Sequence, residues 1–477
     1  MSGGHATTPL LASLVLEALR DGRDPVIAEG SEQLRAPALL ERARAVQAGL
    51  AGRGLRPDEP VIVRVALHPA DFAAFLGTWM GRGVAVPVHA GTPEAVLRAL
   101  QERTGARLTL TGATGAIDDH GSAPPERPLL RGAALVIFTS GSTGTPKGVV
   151  LGHERFAGKL RVLQDMLRLS PASRTLLPLQ ITFIFGVWAG LLSILSGGHL
   201  RLMGKFTPAA AREALADGAT TAALVPTMLR ALFADPEGPG PAPALRQVLT
   251  GGEPLGGGLG QRIAAAWPAA GIHDLYGLSE TGSCDFCLRP EDLARGLGSI
   301  GRPTAGVEFR IAGAAADGVG ELQIRTPYGM LGYLDQEALT RDSFHDGYFR
   351  TGDLARLRPD GFVELAGRSK DVISRGGNKI VPLELDRLFA SHPDVAAALA
   401  TGVPDPLLGE RIHLLVVPQP GARLDPPALL AWATGKVEKF KLPDVIHFAA
   451  ELPSGRTGKA DRSALRERIT GGLYERP

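Results

Sequence analysis

The segment Phe138-Thr-Ser-Gly-Ser-Thr-Gly-Thr-Pro-Lys-Gly-Val149 carries the groups that a polyphosphate needs. Gly141, Gly144 and Gly148 permit positive φ and close backbone approach. Ser140, Ser142, Thr143 and Thr145 bring hydroxyls, and Lys147 brings a fixed positive charge. A loop of this kind after an apolar strand can wrap phosphate oxygens in backbone N–H groups. The spacing is not that of a Walker A loop, because Lys147 is followed by Gly148 rather than Ser or Thr.

More polar clusters follow in order. Leu249-Thr-Gly-Gly-Glu-Pro254 has two glycines, Gly251 and Gly252, that would let a flat ligand approach the backbone. In Tyr276-Gly-Leu-Ser-Glu-Thr-Gly282, Tyr276 offers a ring face, Glu280 a hard oxygen ligand for Mg²⁺ and Thr281 a hydroxyl. Asp353, in Thr351-Gly-Asp353, suits the paired hydroxyls of a ribose. Gly367-Arg-Ser-Lys-Asp-Val-Ile-Ser-Arg-Gly-Gly-Asn-Lys379 and Leu452-Pro-Ser-Gly-Arg-Thr-Gly-Lys459 read by themselves as charged, flexible connections.

These clusters keep falling at the ends of apolar segments, where open α/β sheets bind ligands. Strands are expected at 25–28, 61–66, 84–88, 108–110, 133–138, 175–179, 199–202, 222–225, 247–250 and 273–276, with helices between them. That alternation predicts parallel sheets with right-handed crossovers. Residues 112–128 read as a loop, and Thr351–Asp353 as the end of a strand. From Gly301 the pattern changes to short strands separated by turns, with hairpin signals at Asp317-Gly318 and Asp360-Gly361. After Gly367 come hairpins and two helices, at 382–390 and 426–434.

Taken together and in order, the clusters resemble those of the adenylate-forming superfamily: acyl-CoA synthetases, aryl-CoA ligases and adenylation domains. The resemblance runs from about Val61 to the C-terminus. It implies an α/β fold whose large N-terminal domain (1–369) has two αβ-layered sheets plus a β-rich subdomain (301–366). A small mobile α+β domain (370–477) follows. It also implies two half-reactions. A carboxylate attacks the α-phosphate of Mg·ATP, giving acyl-adenylate and pyrophosphate. A thiol or an amine then takes the acyl group and releases AMP.

By this resemblance ATP is held by Thr139, Ser140, Gly141, Ser142, Thr143, Gly144, Lys147, Gly252, Glu253, Tyr276, Asp353 and Arg368. Glu280 carries magnesium, and Glu280, Thr281 and Lys459 are catalytic. Lys370 is the hinge, and Gly376 and Gly377 line the tunnel for the thiol. The acyl pocket takes in Phe183, Ile184, Phe185, Gly251 and Gly277. Amino-acid-activating members carry an aspartate at the place of Ile184, and isoleucine has nothing to offer an ammonium. An apolar, aromatic acid is therefore expected, with ordinary core packing as the alternative reading of Phe183 and Phe185. CoA is the expected co-substrate; a carrier-protein thiol or an amine is the alternative acceptor. A non-catalytic nucleotide-binding module is the alternative of a different class.

Composition narrows the rest. The 477 residues need more than one domain. A net charge of +2, with no Lys/Arg-rich tract, argues against a nucleic-acid partner. No apolar run is long enough for a membrane span, and no signal peptide is recognised. Cys284 and Cys287, the two cysteines, read as buried apolar side chains, with a redox pair as the lesser alternative. Their scarcity predicts a cytoplasmic protein.

Overall fold

The computed structural model describes residues 10–121, 124–139, 146–453 and 460–473. It is an α/β architecture in which two large sheets share one layer of helices. The first sheet runs Gly332–Tyr333, Lys147–Gly152, Ala133–Thr139, Val84–His89, Pro60–Val65, Leu108–Thr111, Ile117–Asp119. The second has Gly271–Tyr276, Gln247–Gly251, Thr221–Ala223, Arg174–Leu177, His199–Leu202 and Val26–Glu29 as its parallel centre. Parallel strands are covered on both faces and so are apolar on both. In Pro60–Val65, Val61, Val63 and Val65 face the shared core while Ile62 faces the outer one. The shared core draws Leu11, Phe75, Trp79, Leu160 and Trp188 from the helices between the sheets.

Residues 308–368 form a separate antiparallel sheet, whose core of Leu322, Ile324, Ala355 and Val363 also takes in Phe286 and Ile300 from the preceding chain. Another five-stranded sheet lies between 373 and 448. Among the described residues, its core of Ile373, Leu385, Phe389, Ile412, Leu414 and Leu429 draws on none before Ile373. Arg387 joins this unit to the larger part, through Glu364 at 3.0 Å and the Gly298 carbonyl at 3.2 Å.

Several sequence expectations need correcting. Lys147–Gly152 is a strand, antiparallel to Ala133–Thr139, so the phosphate segment joins a hairpin rather than leading from a strand towards a helix. Its apolar core, Val149-Val-Leu151, is only three residues long between Gly148 and Gly152, which hides the pattern. A short strand, Ile117–Asp119, lies inside the expected loop and pairs with Leu108–Thr111. Thr351-Gly-Asp353 does not end a strand but lies inside Tyr348–Leu357. Gly352, with φ +70, lets the chain bulge there and continue. A third C-terminal helix, Arg462–Thr470, was not foreseen because it buries only Leu465 and so has almost no apolar stripe.

Candidate active site

Tyr276 closes the strand Gly271–Tyr276, and its hydroxyl donates to Asp353 Oδ2 at 2.6 Å. Arg368, opposite Asp353 in the antiparallel ladder, donates from Nε to Oδ1 at 2.8 Å. The Asp353 backbone N–H is tied to Thr351 Oγ1 at 3.0 Å. Asp353 is buried, so its carboxylate is held between two donors in a low-dielectric setting. Burial and the Asp353 charge hold the Tyr276 phenol far above its usual range, and Asp353 raises Arg368 further. Each carboxylate oxygen keeps a lone pair free for a hydroxyl donor.

On the phosphate side, Tyr333 does what no motif announced. Its strand, Gly332–Tyr333, pairs with Lys147–Gly152, Tyr333 lying opposite Val149. The Tyr333 hydroxyl donates to Glu280 Oε1 at 3.0 Å, and Lys147 Nζ sits 5.1 Å over its ring. One aromatic therefore joins the lysine of the phosphate segment to the glutamate of Ser279–Thr281. Glu280 Oε2 accepts no hydrogen bond among the described residues. This is a hard, anionic oxygen held in one orientation, as Mg²⁺ requires. Thr281 turns inward, its hydroxyl bonded to Asp285. Thr139 pairs with Lys147 across the hairpin. Ser140, Gly141, Ser142, Thr143, Gly144 and Lys459 lie outside the described residues.

Glu253 is engaged from the protein side. Its carboxylate takes the Thr227 hydroxyl at 2.8 Å and an ion pair from Arg230. Gly252, beside it, has φ +84. The bareness of Gly251 and Gly277 has a reason internal to the fold. A Cβ on Gly251 would strike the Leu275 carbonyl, and one on Gly277 the Cys284 nitrogen. Strand packing is therefore sufficient cause for both glycines.

Phe183 caps the helix Ile184–Leu195, whose first residue, Ile184, is buried. Phe185 stacks on Trp188 with ring centroids 4.8 Å apart. Gln180 Oε1 and Trp188 Nε1 are buried and have no hydrogen-bond partner among the described residues. No acidic side chain occurs in Gln180–Trp188.

Lys370 is exposed in the turn Ser369–Asp371, between the β-rich sheet and the C-terminal unit. Gly376 and Gly377, with φ +54 and +82, form the two-residue turn between Ile373–Arg375 and Asn378–Ile380. Positive φ at both positions is what such a turn requires. Cys284 and Cys287 are free and buried, and burial pushes the Cys284 thiol up to about 12. Tyr333, Lys159 and Asp285 escaped the motif reading. Lys159 could have been singled out, being one of only nine lysines in the chain and lying on the apolar face of a helix.

Comparison with known proteins agrees with this site. The AMP-binding enzyme family matches residues 116–334, and the AMP-binding enzyme C-terminal domain matches 384–459. A sulfoacetate–CoA ligase of Cupriavidus necator is 33% identical over 417 residues, 86% of this chain and 76% of that protein. A feruloyl-CoA synthase of an Amycolatopsis species is 30% identical over 471 residues, 93% of this chain and 95% of that one. The solved amide bond synthetase of Marinactinospora thermotolerans superposes with a TM-score of 0.82 at 26% identity, covering 96% of this chain and 99% of its own. With its nucleotide, phosphate and C-terminal elements in the family's order, the chain belongs to the AMP-binding enzymes, the adenylate-forming superfamily.

Proposed function

We propose that the protein uses ATP to activate an apolar, aromatic carboxylic acid as its acyl-adenylate and then passes the acyl group to CoA. The observation that supports this most lies at the end of the strand Gly271–Tyr276 and the turn after it: Asp353 held by Tyr276 and Arg368, and Glu280 held by Tyr333. Asp353 takes the ribose hydroxyls. Lys147 and the serine- and threonine-rich segment before it take the β- and γ-phosphates. Glu280 holds Mg²⁺, which when bound neutralises charge on the phosphates as pyrophosphate departs. Lys459 bridges the attacking carboxylate and the α-phosphate, so it serves the first half-reaction.

The small unit, with its own core and the Arg387 contacts to the larger part, suits rotation about Lys370. We place the boundary there, with residues 370–477 as the mobile domain. Rotation withdraws Lys459 and brings the Gly376–Gly377 turn to the acyl group for the thiol to pass. The choice of acid rests on Phe183, Ile184 and Phe185, and the feruloyl-CoA synthase among the relatives fits an aromatic acid. A buried Ile184 leaves an α-amino group unpaired. Free, buried thiols suit a reducing, cytoplasmic setting.

ATP–pyrophosphate exchange over a panel of aryl, alkyl and amino acids is the direct test. Exchange is expected with aryl acids and not with amino acids. No exchange with any acid at saturating ATP and Mg²⁺ would sink the proposal. Adding CoA, a carrier protein or amines to the adenylate and identifying the product by mass decides the acceptor. An amide product would align the chain with the amide bond synthetase instead.

A further inference from the structure

Beneath the turn Ser279–Thr281 lies a buried ionic contact that belongs to none of the motifs. Lys159, on the helix His153–Leu167, and Asp285 are both wholly buried, with Nζ 3.5 Å from Oδ1. The ammonium also donates to the Cys284 carbonyl at 3.3 Å and lies 4.9 Å over the Tyr328 ring. Among the described residues Asp285 Oδ1 has no hydrogen-bond donor, and Oδ2 takes the Thr281 hydroxyl.

The backbone here is not relaxed. Ser283 and Cys284 are consecutive non-glycine residues with φ +71 and +51. Such residues persist only when their surroundings hold them. The Cys284 carbonyl accepts from Lys159 and, at 2.9 Å, from Thr304 Oγ1. Ser283 N–H donates to the Leu278 carbonyl at 2.8 Å. Met330 N–H donates to the Glu280 carbonyl at 2.8 Å. Arg155, one turn before Lys159, donates to the Met330 carbonyl at 2.6 Å. One helix therefore grips the glutamate turn from two sides.

A buried ion pair is a poor way to gain stability, since apolar residues of like volume usually do as well or better. Its use here calls for a reason in geometry. We infer that Lys159 and Asp285 are positioning residues for adenylate formation. They fix the Thr281 hydroxyl and, through the turn, the direction of the Glu280 carboxylate. The inference rests on Glu280 being the magnesium ligand. Burial pushes the Asp285 carboxyl up to about 6, and the Lys159 ammonium pulls against that rise.

The test uses the full-length protein and the acid that gives the fastest exchange in the panel. Lys159→Met with Asp285→Leu replaces the pair by an apolar one and is expected to keep the melting temperature near that of the parent. Pyrophosphate exchange should nevertheless fall about 10–100-fold, as when the partner of a metal ligand is lost. Thioester formation from the synthetic acyl-adenylate should stay within about twofold, because it does not use the magnesium turn. Unchanged exchange, or an equal fall in both half-reactions, would overturn the inference. Should that double variant not fold, Asp285→Asn keeps the shape and removes the charge, and the same split between half-reactions decides. Glu280→Gln separates the two readings. If it spares exchange, the magnesium assignment fails; if it abolishes exchange while the pair variants do not, this inference alone fails.

Discussion

The Tyr276 hydroxyl meets Asp353 Oδ2 at 2.6 Å, across 77 residues of sequence and between two different sheets. That bond joins the end of the strand Gly271–Tyr276 to the bulged strand Tyr348–Leu357. Asp353, the acid proposed for the ribose, is thereby referred to the same frame as Glu280, four residues beyond Tyr276.

Asp353→Asn should therefore weaken ATP binding more than it slows the bound complex. Hydrogen bonds to charged groups contribute about 1.5–3 kcal/mol, or roughly 10–150-fold in KM for ATP. Tyr276→Phe removes one donor and leaves the acid, so its effect should be smaller. Initial rates of exchange against ATP concentration check both. A fall in kcat at unchanged KM would argue against the ribose role.

Tyr333 separates two roles in one side chain. Tyr333→Phe keeps the ring under Lys147 but removes the donor to Glu280. Exchange should fall about tenfold, and half-saturation by magnesium should rise. Tyr333→Leu removes both contacts and should cost more. Glu280→Gln should cost on the order of 10²–10³ in exchange rate. Titration with MgCl₂ at fixed ATP is the measurement.

Lys459→Ala should lose adenylate formation by about 10²–10³ yet still turn over pre-made acyl-adenylate. Equal loss of both half-reactions would refute the division of labour between the two orientations of the small domain. Single-turnover assays of each step with the same enzyme preparation make the comparison.

His153 supplies a pH dependence. It begins the helix His153–Leu167, lies edge-on to Trp79 at 6.2 Å, and has no partner for Nδ1 among the described residues. Burial pulls its pKa down from 6.5 to about 4. Between those values the unfolded chain binds a proton that the folded protein refuses. Its contribution to stability is thus complete above 6.5 and lost as pH falls towards 4. At about pH 5 the loss is about 2 kcal/mol relative to about pH 8. His153→Phe should flatten that part of the profile. Urea unfolding of parent and variant at both pH values tests it, and parallel losses would count against a neutral buried imidazole.

The sequence by itself determined the alternation of apolar strands and helices, and with it the layered α/β architecture. It also determined the order of the polar clusters, because glycine, hydroxyl and charge at strand ends are local features of the chain. Asp353, Glu280, Lys147 and Tyr276 were therefore visible as candidates. What it could not decide was which side chains meet. Tyr333 lies in a two-residue strand, too short for any period, and reaches Glu280 only because Gly332–Tyr333 pairs with Lys147–Gly152. Lys159 and Asp285 lie 126 residues apart, and only folding brings them together out of reach of water. The reason is common to these cases. Periodicity and motif report contacts near in sequence, whereas a hydrogen bond or ion pair between distant segments exists only once the sheets have set their register.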